Sequence, residues 1–226
     1  ALKIFGEGEI AYNLDGQTWV GSLTDVSETS GYWVIVDAAA SLQVQGLPTA
    51  PVQYATHTGN NLLSYSYSDD QLLDDALAGT DANSFTEAIY GEGIMTANTD
   101  VGWVGSMTGF EAGSGYWFVA TSPFQFEYNA PASGTLFRLA ELPEPPQLLQ
   151  FTQSMNQYFY LITEAVIDDI ELVTGDWLVA KCNDVVAGSR QYIAGSAIDI
   201  PIMGYVNDPS LPDLQNRTSG YCEVGD

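Results

Sequence analysis

The chain has 226 residues, 46% of them hydrophobic, with 29 acids against five bases and a net charge of −24. That length can bury a sizeable core as one large domain or two small ones. So acidic a surface repels nucleic acid and anionic membranes, so neither is expected as a partner; it suits saline surroundings or cation binding.

Gly, Tyr, Trp, Phe, Val and Thr fall in short clusters, the vocabulary of twisted strands and tight turns. No apolar run approaches the ~20 residues of a membrane span, and no basic segment followed by an apolar stretch opens the chain. The chain starts at Ala1 rather than Met, so it reads as a processed or trimmed product. Cys182 and Cys222 form no CxxC motif, and in oxidising surroundings they could pair as a disulfide.

Residues 4–36 and 89–120 carry the same text twice. Gly-Glu-Gly stands at 6–8 and 91–93, Trp-Val-Gly-Ser starts at Trp19 and Trp103, and Ser-Gly-Tyr-Trp ends at Trp33 and Trp117. An offset of about 84 residues marks a tandem structural repeat. A partial first repeat occupies 1–50 and a second 51–130. In the second, residues 61–67 alternate as a strand. Residues 68–79 read as a helix capped by Ser68, Asp69 or Asp70, with Leu72, Leu73, Ala76 and Leu77 on one face and Gly79 at its end. Further strands follow, the last with Phe124, Phe126 and Tyr128 on one face. The first copy lacks the opening strand and helix. Such a unit exposes an unpaired edge, which a missing upstream segment or another chain is expected to complete.

Residues 131–150 read as a linker held extended by Pro143, Pro145 and Pro146. From 151 to 226, four apolar runs (157–167, 175–183, 185–193 and 197–206) are separated by turn signals and predict an antiparallel sandwich or small barrel, stopping without a closing strand. The expected class is mainly β with one or two short helices: tandem β-rich repeats followed by an antiparallel β-sandwich or barrel-like module.

The Gly-Glu-Gly, Trp-x-Gly-Ser-Leu/Met-Thr and Gly-Tyr-Trp series resembles repeat modules in large structural and surface proteins of marine phages, notably cyanophages, and of marine bacteria. Gly175, Asp176, Trp177, Leu178, Val179 and Ala180, followed by Ala187, Gly188, Ser189, Arg190 and Gln191, are similar to a β-rich module found beside those repeats. The chain departs from that module's Asn-Gly-Asp turn at Cys182, Asn183 and Asp184, and the module often carries its cysteines elsewhere. The resembling modules continue past both ends of this chain. The resemblance implies an extracellular or virion structural role without catalytic residues.

Among candidate sites, Glu7 and Glu92 could be acids or metal ligands, but glycine-flanked acids fit turns or bulges better. Gly6, Gly8, Gly31, Gly91, Gly93 and Gly115 are the repeat turns. Trp19, Tyr32, Trp33, Trp103, Tyr116 and Trp117 either fill the core of each repeat or stack on a ligand such as a host-surface glycan; adjacent Tyr-Trp residues must point to opposite faces. Asp168, Asp169, Glu171 and Asp176 could take Ca²⁺, although their spacing is not that of a calcium loop and a solvated hairpin explains them. Residues 207–216 read as a turn-rich loop, and His57 as a loop histidine without a nucleophile elbow. Asn216-Arg217-Thr218 matches a glycosylation sequon. No pair among the scattered carboxylates stands out for glycoside hydrolysis. The expectation is a non-enzymatic structural protein of a virion appendage or virion surface, without cofactor unless Ca²⁺, forming homo-oligomers or meeting neighbouring structural subunits. The alternative is a cell-surface adhesin or filament component with carbohydrate-binding aromatic repeats.

Overall fold

The structure is a computed structural model and describes residues 2–43, 49–132, 139 and 141–223. In chain order its first strands are β1 (Lys3–Gly6), β2 (Glu9–Asn13), β3 (Trp19–Gly21), β4 (Trp33–Ile35), β5 (Tyr54–Ala55), β6 (Gly59–Ser64) and β7 (Gln71–Leu72). Two short helices follow, α1 (Leu73–Leu77) and α2 (Asp81–Phe85). Then come β8 (Thr86–Tyr90), β9 (Met95–Thr99), β10 (Gly102–Gly105), β11 (Gly109–Phe110), β12 (Gly115–Ala120) and β13 (Gln125–Phe126). The remainder holds β14 (Gln157–Ile162), β15 (Val166–Ile167), β16 (Ile170–Glu171), β17 (Trp177–Cys182), β18 (Val185–Gln191), β19 (Ile198–Met203) and α3 (Pro212–Arg217). The protein is mainly β, with three short helices among the described residues rather than one or two.

Two compact units divide the chain: residues 1–91 with 108–140, and residues 92–107 with 141–226. Within the first unit, the order β3-β2-β1-β4 forms an antiparallel sheet, and β12 lies between β6 and β8. Its core is aromatic. Tyr128 meets Phe110 and Phe126 at 5.0 Å between ring centroids, and Tyr65 and Tyr54 at 5.2 and 5.3 Å. Phe118 stacks on Phe110. Phe124, Phe126 and Tyr128 are all buried, as period-two alternation requires. Burial pushes the Tyr116 phenol up to about 12, and holds the Tyr128 phenol well above its ordinary value.

Helix α1 is much shorter than the 68–79 reading, and its N-cap is Leu72 with no side-chain hydrogen bond. The expected capping residues are used elsewhere. Asp70 accepts the Ala112 N–H, Tyr65 donates to the Asp69 carbonyl and to Gln71, and Gln71–Leu72 pairs with Gly109–Phe110. Thr80 instead caps the unforeseen α2 by accepting the Asn83 N–H. Residues 207–216, read as a loop, enter α3, where proline near the N-terminus presets φ and the Thr218 hydroxyl donates to the Leu214 carbonyl.

The two repeats share backbone geometry in two independent places. In the β2–β3 hairpin Asn13 faces Trp19, Tyr12 faces Val20 and Ala11 faces Gly21; in β9–β10 Asn98 faces Trp103, Ala97 faces Val104 and Thr96 faces Gly105. Leu23 donates to the Ile10 carbonyl at 3.0 Å and Met107 to the Met95 carbonyl at 2.9 Å. Phe5 pairs with Trp33 on β4 as Tyr90 pairs with Trp117 on β12. Tyr32 accepts the Ser27 N–H as Tyr116 accepts the Glu111 N–H, each from five residues upstream. Glycine makes the hairpins possible. Gly21 has φ +146° and a Cβ there would stand 2.0 Å from the Ile10 carbonyl oxygen; Gly105 has φ +147° and its Cβ would stand 2.3 Å from that of Met95.

In the second unit β14 pairs with β19 and β17 with β18, so all four apolar runs read from sequence contain strands. Cys182 and Cys222 form a disulfide with a Cα separation of 5.2 Å, beside buried Ala187, Met203 and Tyr221. Of the linker read over 131–150, residues 133–138 and 140 lie outside the described residues; Gln147–Leu149 form a single 3₁₀ turn, whose Leu149 carbonyl accepts the Ser189 hydroxyl.

Gly21→Ala and Gly105→Ala should each destabilise the fold by about 1–3 kcal/mol in urea unfolding, because both meet a carbonyl at a left-handed φ. Markedly unequal costs would contradict their equivalence. The Cys182→Ser/Cys222→Ser variant should lose up to about 4 kcal/mol in the chain-entropy picture, since the bond spans 40 residues. Unchanged thermal unfolding would contradict a stabilising bond.

Candidate functional site

A cleft of about 330 Å³ opens in the first unit, lined by Glu7, Glu9, Tyr32, Gln53, His57 and Asn61 among others. The turn after β1 builds it. Gly8 takes φ +73°, so the chain reverses tightly and Glu7 projects from the tip. One Glu7 carboxylate oxygen accepts the Leu62 N–H of β6 at 3.1 Å, and the other takes His57 Nε2 in a close ion pair. His57 Nδ1 lies 2.9 Å from the Thr58 carbonyl oxygen. A carbonyl and a carboxylate only accept, so the protonated ring, with a donor on each nitrogen, is the form that satisfies both contacts. The Thr58 carbonyl and then the Glu7 carboxylate accordingly raise the His57 pKa above its ordinary value. Asn61 holds the loop by accepting the His57 N–H and donating to the His57 and Gly59 carbonyls.

Glu7 and His57, separate on the sequence reading, are thus one ion pair, and it fastens the first repeat to β6. The same edge of β6 carries further links: Gly31 donates to the Leu62 carbonyl, and Ser64 to that of Thr29. Both Glu7 oxygens are engaged in this fastening. His57 remains 61% exposed at its side chain, so the pair is a screened surface interaction.

The second unit contains a buried charge pair that the sequence reading did not single out as a site. Asp199 on β19 is wholly buried, and Arg190 on β18 retains 9% exposure. Arg190 donates through Nη2 to an Asp199 carboxylate oxygen at 3.1 Å and through Nε to the Asp199 carbonyl at 3.1 Å. Ser106, just beyond β10, donates its N–H to one Asp199 carboxylate oxygen and its hydroxyl to the other at 3.0 Å. Arg190 Nη2 also reaches the Gly93 carbonyl at 2.6 Å, and the Gly93 N–H donates to Gln157. Two charges taken out of water persist only when their remaining donors and acceptors are matched, and this cluster matches them. The available sequence signal was one acid inside the apolar run AIDIPIM and one of only five bases inside another.

The aromatic positions scatter in environment. Tyr116 is buried, Tyr32, Trp33, Trp103 and Trp117 are half-buried, and Trp19 is 41% exposed. Trp19 does not fill a core: it lies on the edge strand β3, every residue of which is exposed. Gly6 packs against the Tyr32 ring, while a Cβ on Gly115 would come within 2.9 Å of the Gly31 Cα. Gly93 has φ +67°, matching Gly8, and Gly91 closes β8 ahead of it.

Asp168 and Asp169 occupy the two-residue turn between β15 and β16 with φ +52° and +63°, the signature of a type I′ hairpin. Glu171 pairs with Val166 in that hairpin, and Asp176 accepts the Val173 N–H. Among the described residues no three His, Cys, Asp or Glu side chains are grouped to hold a metal ion.

No protein-family model, curated protein or solved structure matches this chain. Among the described residues no helix is long and apolar enough to cross a membrane.

The raised pKa fixes the pH dependence of the Glu7–His57 link. Its contribution to stability should be fully present below the ordinary histidine value of about 6.5 and fade as pH rises through the raised value. An NMR titration of this sole histidine should place its midpoint above the ordinary value, and Glu7→Gln should move it down. An unaltered midpoint in Glu7→Gln would contradict the pairing.

Proposed function

We propose that this chain is a non-enzymatic structural protein of a virion appendage or virion surface, assembling with neighbouring chains by β-strand addition at the first repeat. One observation carries this reading. In the second repeat β12 is hydrogen-bonded on both sides, by β8 and by β6. In the first, β4 has the same register with β1, yet among the described residues no strand pairs with its outer edge. Val34 and Val36 lie exposed there. An unpaired edge with apolar side chains is a template for another strand.

Other features agree. A disulfide suits oxidising surroundings outside the cytosol. The strong negative charge keeps free chains apart at low salt and lets them meet when screened. Much of each repeat's individuality goes into fastening one segment to the next, through Glu7 in the first copy and Gly93 in the second.

A second reading, a cell-surface adhesin that binds glycans, rests on Trp19, an exposed indole beside a polar turn in which Asp15 accepts the Gln17 and Thr18 N–H groups. Such a platform could stack on a sugar ring. Glycan-array binding abolished by Trp19→Ala in a folded chain would favour it.

Sedimentation of the whole chain in about 1 M salt, where the Debye length is about 3 Å, should show concentration-dependent oligomers. Val34→Lys/Val36→Lys should weaken them by about tenfold or more without changing the circular dichroism spectrum. A monomer at every concentration, or assembly indifferent to these lysines, would count against strand addition at β4.

A further inference from the structure

The second unit shows what a repeat hairpin can hold. There Ser106 and Gly93, at the ends of the β9–β10 hairpin, grip the buried Asp199–Arg190 pair. Ser106 is only 9% exposed, and Met95, Thr96 and Met107 are buried around it.

The first repeat presents the same hairpin without such a cover. Trp19-Val20-Gly21-Ser22-Leu23 repeats Trp103-Val104-Gly105-Ser106-Met107 with one change, Leu for Met. Register and glycine φ agree between the two, as described above. Yet Trp19 and Val20 are 41% and 43% exposed, and Gly8, Gly21 and Ser22 are exposed. The Ser22 hydroxyl accepts the Ile10 N–H at 3.1 Å and keeps its own proton to donate. Glu9 stands where the second copy has Ile94, adding negative charge beside the Gly8 carbonyl.

We infer that the β2–β3 hairpin, through Trp19, Val20, Ser22 and the Gly8 carbonyl, is a docking face for a β-module whose outer strands carry a desolvated aspartate–arginine pair like Asp199 and Arg190. The partner's aspartate accepts the Ser22 N–H and hydroxyl, and its arginine donates to the Gly8 carbonyl beside Glu9. Trp19 and Val20 supply the apolar contact. The arginine both neutralises the incoming aspartate and answers the acidic surface of this chain, so the pair fits where a lone carboxylate would be repelled. This deepens the assembly reading by naming a second face and its partner's chemistry.

The chain can supply its own probe. Ser106→Asp sets a second carboxylate against Asp199, a juxtaposition that disfavours the ionised pair and frees the Asp199–Arg190 face. Mixed with the unaltered chain, full-length S106D should form a complex and slow amide exchange at Ser22 by about tenfold or more, the worth of a charge-assisted hydrogen bond. Ser22→Asp in the receiving chain should abolish the complex. Folded S106D that leaves Ser22 exchange unchanged, or a complex insensitive to Ser22→Asp, would overturn the inference. A graft decides the matter even where S106D does not fold: Met95→Ile/Thr96→Ala/Ala97→Tyr/Met107→Leu gives positions 95–98 and 103–107 the first hairpin's residues. The Ser106 amide should stay protected to within about tenfold, and its loss of protection would overturn the inference. Both readouts depend on Ser22 or Ser106 rather than on β4, so they succeed or fail separately from strand addition at that edge.

Discussion

At Gly21 and again at Gly105, a backbone carbonyl occupies the space in which any other residue would place its Cβ. That single exclusion lets the Trp-Val-Gly-Ser strand close on its neighbour and then turn away. Its consequences spread outward. The register it permits sets Trp19 against Asn13 and Trp103 against Asn98, and it delivers Ser22 and Ser106 to corresponding hairpin ends. A second steric economy lies at Gly31 and Gly115, which flank Leu63 closely enough that a Cβ on either meets backbone. Glycine sets how near these segments approach, and hydrogen bonds then fix their alignment.

With the backbone fixed twice over, the two copies differ in what surrounds them. The first copy uses Glu7 to hold β6 through Leu62 and His57, on the water-exposed side of a cleft. The second uses Gly93 and Ser106 to hold a buried charge pair. These fastenings differ in kind. An exposed ion pair is screened and contributes modestly. A buried pair costs several kcal/mol per ion to desolvate, so its hydrogen bonds must all be present together. The second unit is also cross-linked by its disulfide, which lies beside the packed Tyr221 and Met203.

Much of this was legible in the sequence. Repetition of Gly-Glu-Gly, Trp-Val-Gly-Ser and Gly-Tyr-Trp pointed to recurrent hairpins, because those glycines have steric work to do. Alternation at Phe124, Phe126 and Tyr128 marked one core face, and four apolar runs marked the strands of the second unit. The misses have physical causes. Asp69, Asp70 and Gln71 resemble a helix start, but tertiary bonds to Tyr65, Ala112 and the Gly109–Phe110 strand outcompete local capping. Trp19 looks like core because indoles usually are, yet a hairpin's outer strand is buried only when something covers it. Asp199 and Arg190 lie only nine residues apart, but the Ser106 and Gly93 groups that complete their hydrogen bonds come from 93 and 97 residues away, and nothing local announces that encounter.

That the two hairpins are one structure built twice is measured most directly by their cross-strand contacts. Nuclear Overhauser contacts in solution should link Asn13 with Trp19 and Ala11 with Gly21, and, in the same pattern, Asn98 with Trp103 and Thr96 with Gly105. A shift of one residue in either hairpin would turn its serine to the opposite face, and that result would contradict the account.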